Sequence, residues 1–308
     1  MKIKHIVQFL KSSLKEISPL ENIKTLHTNL RGDILSGITV AIIALPLALA
    51  FGEISQLGPV AGVWGAIAGG IVGGLFGGCM VGVSGPTAPK AAQLAVFYGI
   101  IAGGSTDLDP RVAAFSIIFL SGLILVAISL MKISRFIHYT PYPVVAGFMC
   151  GIGVIVVLTQ FNSFIGISIE DDITIYRYEA LYVSIPSLFI LFLWDPVQKK
   201  IHLLKSIPAP LVALTLGTMV AYFFDFNIPY IGDRMSEVAE SEIISIQVFD
   251  FSQLGVLLLP ALALAGLAVL DSLLSCKVAD NMTRTHHSSD RETFGQGMAN
   301  MAAGLFGG

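Results

Sequence analysis

The sequence predicts an all-α polytopic membrane protein whose third transmembrane segment is discontinuous. Three observations lead there. The chain is 54% hydrophobic and only 13% charged, with a mean hydropathy of +0.78, whereas soluble domains carry about 25% charged residues. Apolar blocks recur along its length, several close to the roughly 20 residues that cross a bilayer. One apolar stretch, Val81-Gly-Val-Ser-Gly-Pro-Thr-Ala-Pro-Lys90, is too rich in glycine and proline to be a continuous helix.

Residues 1–30 read as a cytoplasmic amino-terminal segment and 31–308 as a partial transmembrane transport domain. Apolar blocks at 34–51, 60–76, 91–101, 112–131, 144–161, 181–194, 210–224, 254–274 and 294–306 give nine crossings, the short ones and the last being the weakest. With the amino terminus inside, cytoplasmic segments hold Lys2, Lys4, Lys11, Lys15, Lys24, Arg31, Lys132, Arg135, Lys199, Lys200, Lys205, Lys277, Arg284 and Arg291, and the opposite side holds Arg111, Arg177 and Arg234. That asymmetry follows the positive-inside bias and predicts an inner (plasma) membrane protein with a cytoplasmic amino terminus. The first long apolar run begins after residue 30 and leads straight into a multispan region, unlike a cleavable signal peptide. Cys79, Cys150 and Cys276 lie at no metal-ligand spacing and read as packing residues.

Gly65, Gly69, Gly73 and Gly77 repeat every four residues, with Gly70, Gly74 and Gly78 as an adjacent stripe. Such surfaces let helix backbones approach closely, so the second span is expected to be buried among neighbours, with Gly74, Gly77 and Gly78 structural. The string Gly-Leu-Phe-Gly-Gly at 74–78 recurs at 304–308, closing the second and ninth crossings in opposite directions. Inverted repeats produce that relation, and chance in a glycine-rich chain produces it too.

The interruption at 81–90 carries the chemistry. Backbone outside a helix at membrane depth needs partners from protein or a water-filled cavity. A strand-like approach at 79–84 is expected to lead into a short helix starting near Thr87, capped by Ser84 or Thr87 and tolerating Pro86 or Pro89 in its first turn. The amino end then offers unpaired donors and a partial positive charge. Ser84, Thr87, Ala88 and Lys90 are the candidate anion-binding residues. Lys90 reads either as an anion attractor or as an ion-pair partner or snorkelling side chain. Asp271 follows a stretch without charge from 251 to 270 and must be paired, protonated or bound to a cation. Ser275, one turn onward, and less directly Ser272 can face the same ligand. Thr87, Asp271 and Ser275 are therefore the candidate cation-binding residues, with sodium at Asp271, and an Asp271–Lys90 salt bridge is the competing reading.

These residues resemble a known family. Leu30-Arg-Gly-Asp-Ile-Leu-Ser-Gly37, Ala44-Leu-Pro-Leu-Ala-Leu-Ala-Phe-Gly52, Ser84-Gly-Pro-Thr-Ala-Pro89, Asp271-Ser-Leu-Leu-Ser-Cys-Lys-Val-Ala-Asp280 and a cytoplasmic turn at 284–297 are similar to the amino-terminal part of the membrane domain of the sulfate permease family of inorganic anion transporters. The resemblance implies fourteen segments in two inverted repeats of seven, divided into core and gate domains. Solute would bind between the third and tenth half-helices, beside the eighth segment and the first, which contains Pro46 as a structural residue. In members resembling the cyanobacterial sodium-dependent bicarbonate transporter, the positions of Thr87, Asp271 and Ser275 belong to the sodium (Na+) site. Ser275 stands where that group has a threonine, and Lys90 where it has an apolar residue. The tenth half-helix and any cytoplasmic regulatory domain would follow Gly308, so residues 1–308 alone are not expected to transport.

The function expected is secondary active transport of an inorganic anion, sulfate or bicarbonate, coupled to sodium by alternating access. An anion channel and a proton-coupled anion or dicarboxylate transporter are the alternatives. The partners are the lipid bilayer, a small inorganic anion and, in the full-length form, a second copy in a homodimer; no nucleic acid is expected. Enzyme chemistry has little support. His286 and His287 share a charged turn without a third ligand, and Asp171, Asp172 and the acidic residues of 237–242 read as solvated loop charges.

Overall fold

The structure, a computed structural model, describes residues 17–105, 108–139, 141–170, 173–200, 209–228, 246–247, 249 and 253–308. The short helix α1 (Leu20–Thr25) precedes α2 (Leu30–Ile54) and α3 (Pro59–Phe76), whose stretch Gly69–Gly73 widens into a π-helical turn. After the break come α4 (Ala88–Ile100), α5 (Pro110–Leu130), α6 (Tyr142–Ile165), α7 (Ala180–Lys200), α8 (Ala209–Phe223), α9 (Leu254–Thr283) and α10 (Ser289–Phe306). Each predicted apolar block therefore lies on a helix. Four of them among the described residues, α2, α3, α5 and α9, are long and apolar enough to cross a membrane. The chain is a multi-pass membrane protein.

The all-α polytopic class holds, but the connection between α6 and α7 is not a plain loop: β1 (Ile167–Glu170) and β2 (Ile173–Tyr176) form a short antiparallel hairpin pairing Ile167 with Tyr176 and Glu170 with Ile173. Alternating isoleucines favour the pleated conformation there; Asp171 and Asp172 lie outside the described residues, as do 237–242 and the segment 1–16. The passage 284–297 is likewise not a turn throughout. Arg284 is left-handed at the end of α9, and α10 already begins at Ser289.

The described residues fall into two compact units, one bounded by Met1–Asp33, Ala44–Met149 and Val238–Gly308, the other by Ile34–Ile43 and Cys150–Glu237. In the second, α7 packs on α8, and Ser187 Oγ would lie 3.0 Å from a Cβ at Gly217. In the first, the core centres on α5, where every residue from Ala113 to Ile118 is buried, together with Leu94 of α4 and Leu257, Ala261 and Leu264 of α9. Glycines bring α10 against α5. A Cβ at Gly122 would lie 2.6 Å from the Gly297 carbonyl oxygen, and one at Gly304 would lie 2.9 Å from that of Phe115. Close backbone packing of this kind replaces side-chain burial as the source of helix association in lipid.

Of the two glycine stripes on α3, one packs and the other is open. A Cβ at Gly69 would come within 3.0 Å of the Ser84 carbonyl, and one at Gly73 within 2.7 Å of Ser84 Oγ, whereas Gly70 and Gly74 have nothing within 4 Å. Instead of being enclosed all round, α3 turns one face to the break and leaves the other exposed.

Candidate functional site

The break runs from Gly77 to Thr87. Gly77 turns to extended geometry (ψ 158°) after donating its N–H to the Gly73 carbonyl over 2.7 Å. The approach from Cys79 to Ser84 is irregular without being a ladder strand, and Thr87 (φ −130°, ψ 147°) is the residue from which α4 starts. Pro89 sits in the first turn of α4, where no amide hydrogen is required.

Neither predicted cap is used. Thr87 makes no side-chain cap; its Oγ1 donates to Asp271 Oδ2 at 3.0 Å. Ser84 Oγ accepts from Gln296 Nε2 at 2.6 Å. The helix start therefore differs from that of α5, where Asp109 Oδ1 accepts from the Arg111 and Val112 amides at 2.8 and 3.2 Å. At α4 the early amides, including that of buried Ala88, have no side-chain cap. A helix start without a cap leaves its positive end directed at whatever lies before it.

What lies before it is a cavity of about 110 Å³. Gly85, Pro86, Thr87 and Lys90 line it from the break and α4, Phe51 and Gly52 from α2 with Ser55 just past its end, and Gln296 and Asn300 from α10. Pro46 lies inside the continuous helix α2, more than a turn before these cavity residues. Lys90 Nζ stands 3.8 Å from Asp271 Oδ2, with side-chain exposures of 16% and 12%. One carboxylate oxygen thus faces both the Thr87 hydroxyl and the Lys90 ammonium. A largely buried pair of this kind offsets the desolvation of two charges only through close geometry and added hydrogen bonds, and Thr87 supplies one.

The structure thus brings Thr87, Lys90 and Asp271 together around Oδ2. Ser275 is exposed one turn farther along α9, and Ser272 is half-buried. Among the structural glycines, Gly78 donates its N–H to Glu292 Oε2 at 2.9 Å, and the Gly74 and Gly77 carbonyls each accept from Asn22 Nδ2 at 3.0 Å. His287 Nδ1 meets Asp280 Oδ2 at 2.7 Å and its Nε2 meets Ser289 Oγ at 3.1 Å, tying the end of α9 to the start of α10.

Sequence reasoning placed a crossing at 294–306 but missed the polar first turns of α10. Asp290, Arg291, Glu292 and Thr293 are all buried, so Arg291, read as an exposed cytoplasmic charge, is enclosed. Asp290 pairs with Arg135, and its carbonyl accepts from Ser129 Oγ at 2.6 Å. Glu292, Gln296 and Asn300 recur every four residues, which puts them on one helix face. That spacing is the available signal, split between the passage 284–297, read as a charged turn, and the block 294–306, read for its apolar content.

A family model described as the sulfate permease family matches residues 30–308. The chain belongs to the sulfate permease family. Among relatives, the bicarbonate transporter BicA of a Picosynechococcus species is 34% identical over 297 residues, covering 91% of this chain and 51% of the relative. BicA of a Synechocystis species is 37% identical over 297 residues, with 91% and 50% covered. A putative sulfate transporter of Bacillus subtilis, YvdB, is 33% identical over 296 residues, with 90% and 52% covered. The chain spans about half the length of these curated relatives. A solved structure, the transmembrane domain of a cyanobacterium bicarbonate transporter BicA, superposes with a TM-score of 0.73 at 32% identity, covering 92% of this chain and 74% of that one.

Proposed function

We propose that the protein is a secondary transporter of a small inorganic anion of the sulfate or bicarbonate type. The observation that carries this reading is the uncapped start of α4 opening, beside Lys90, into a cavity at a break between membrane helices. Amide donors and a buried ammonium suit an oxyanion and need no metal or catalytic group to hold it. Family membership and the relatives named bicarbonate and sulfate transporters support the same substrate class. Sodium is the proposed coupling ion: the Thr87 hydroxyl and the Asp271 carboxylate offer hard oxygens of the kind alkali cations prefer, with Ser275 one turn away. The resemblance supports a seven-plus-seven inverted repeat working by alternating access, a homodimer in the complete protein and a cytoplasmic amino terminus.

The Lys90–Asp271 pair supports a second reading of the coupling alone. An ammonium at the carboxylate already supplies the positive charge that sodium would bring, so anion transport would run without a sodium gradient. Uptake of labelled sulfate, bicarbonate and small dicarboxylates by the intact protein in proteoliposomes, with and without inward sodium, tests both. Saturable sodium-stimulated uptake supports the first reading and saturable sodium-indifferent uptake the second. Unitary currents without coupled uptake would replace both with a channel.

A further inference from the structure

We propose that Glu292, buried in the first turn of α10, is a positioning residue that holds the break in its solute-binding shape; the inference rests on the transporter reading. The break has no sheet partner to fix it, so its backbone groups must be held by other elements. Four bonds from α10 and the residue that precedes it do this. Glu292 Oε2 accepts the Gly78 and Cys79 amides at 2.9 and 3.0 Å, and the Ser288 amide donates back to the Gly78 carbonyl at 3.2 Å. Glu292 Oε1 accepts from Gln296 Nε2 at 2.9 Å, and the same Nε2 reaches Ser84 Oγ at 2.6 Å. One carboxylate therefore pins the entry of the break directly and, through Gln296, its far end three residues before Thr87.

The surroundings leave no slack. A Cβ at Gly77 would lie 3.1 Å from Glu292 Oε2, and one at Gly295 would lie 2.6 Å from the Gly77 amide nitrogen. The Phe76 and Phe294 rings pack edge to face with centroids 5.8 Å apart, closing the apolar side of the clamp. Gln296 also lines the cavity, so the residue that anchors Ser84 touches the space where solute would sit. Glu292 does not itself line that cavity, so it shapes the space for solute through the conformation of the break, while its charge is felt there only at longer range, at Lys90. A protein whose binding-competent conformation is partly depopulated shows a weaker apparent affinity in proportion, with its turnover when saturated retained.

Two readouts test this on the intact protein. Hydrogen exchange of the Gly78 and Cys79 amides needs no transport, so it stands even if the transporter reading fails. In Glu292→Gln the charge that strengthens both amide bonds is gone and two amide groups face each other at Gln296. Exchange of those two amides is expected to quicken about tenfold, and the KM for the transported anion to rise by a similar factor with the maximal rate per surface molecule unchanged. A lower maximal rate with unchanged KM, or unchanged exchange, overturns the proposal. Ser84→Ala, which keeps the Glu292 bonds and removes the far anchor, covers the case in which Glu292→Gln does not reach the membrane; because Ser84 is also a candidate anion-binding residue, hydrogen exchange is its deciding readout. It is expected to raise KM several-fold and to quicken exchange after residue 82 while Gly78 and Cys79 stay protected. Unchanged exchange in that variant overturns the proposal as well.

Discussion

Thr87 Oγ1 donates to Asp271 Oδ2 at 3.0 Å, joining the start of one half-helix to the middle of another helix 184 residues away in the chain. The hydroxyl is diverted from the ordinary role of a threonine preceding a helix, which is to cap it. The exchange has two consequences. Asp271 gains a partner, and the start of α4 is left without a side-chain cap.

Glycines of this fold divide by sign. Gly295→Ala places a Cβ 2.6 Å from the Gly77 nitrogen and 2.7 Å from its Cα, and backbone cannot move aside cheaply. Overpacking of about 1–3 kcal/mol outweighs the gain of about 1 kcal/mol in helix propensity, so the variant is expected to melt earlier. Gly266→Ala, at an exposed position of α9, has nothing within 4 Å and keeps only the propensity gain, so its melting temperature is expected to hold or rise. Thermal denaturation of the purified protein, monitored by tryptophan fluorescence, checks both.

Asn22 closes the carboxyl-terminal end of α3 from outside it. Its Nδ2 donates to the Gly74, Leu75 and Gly77 carbonyls, each at 3.0 Å, where the helix stops and the break begins. Those carbonyls are among the ones a helix end leaves without intrahelical partners. Asn22→Ala is expected to free α1 from α3, at about 1 kcal/mol. Limited trypsin cleavage after Lys24 and Arg31 should then accelerate several-fold in inside-out vesicles; an unchanged rate would show that α1 is held elsewhere.

Much of this was legible in the sequence because lipid imposes simple rules. Apolar blocks map onto helices, and Gly85-Pro-Thr-Ala-Pro89 announces a helix start that a bilayer tolerates only beside protein or water. The meeting of Thr87, Lys90 and Asp271 was legible as competing pairings, since buried charges need partners and few were on offer. The role of α10 was hidden for the opposite reason. Its polar residues find partners some two hundred positions earlier, at Gly78, Cys79 and Ser84, and periodicity within one segment carries no record of them. The hairpin at 167–176 was missed because a loop between membrane segments was read only for its charge.

The cytoplasmic amino terminus proposed from the charge distribution is testable at two sites. With Cys79, Cys150 and Cys276 replaced by serine, a cysteine at Thr25, an exposed residue of α1, is expected to react with an impermeant maleimide only in inside-out vesicles. One at Tyr178, 60% exposed beyond the hairpin, should react only in right-side-out vesicles. Reversal of both patterns would invert the topology.

The buried pair gives the sharpest test of coupling. Asp271→Asn removes the nearest counter-charge of the Lys90 ammonium, at a side chain only 16% exposed, and leaves it only the more distant Glu292; removing one member of a buried pair costs about 3–5 kcal/mol. Lys90→Met strands the carboxylate less severely, because Thr87 still donates to it. Combining the two changes removes both charges while the Asn carbonyl can still accept from Thr87, so the double variant is expected to recover most of the stability lost by Asp271→Asn. Transport should separate where stability recovers: Asp271→Asn and the double variant both lose sodium stimulation. Lys90→Met alone is expected to reach half-maximal sodium stimulation at a lower concentration, because no ammonium competes for Oδ2. An unchanged sodium half-saturation in Lys90→Met would mean that the lysine and the coupling cation never share that oxygen, and would move the cation site away from Thr87 and Asp271.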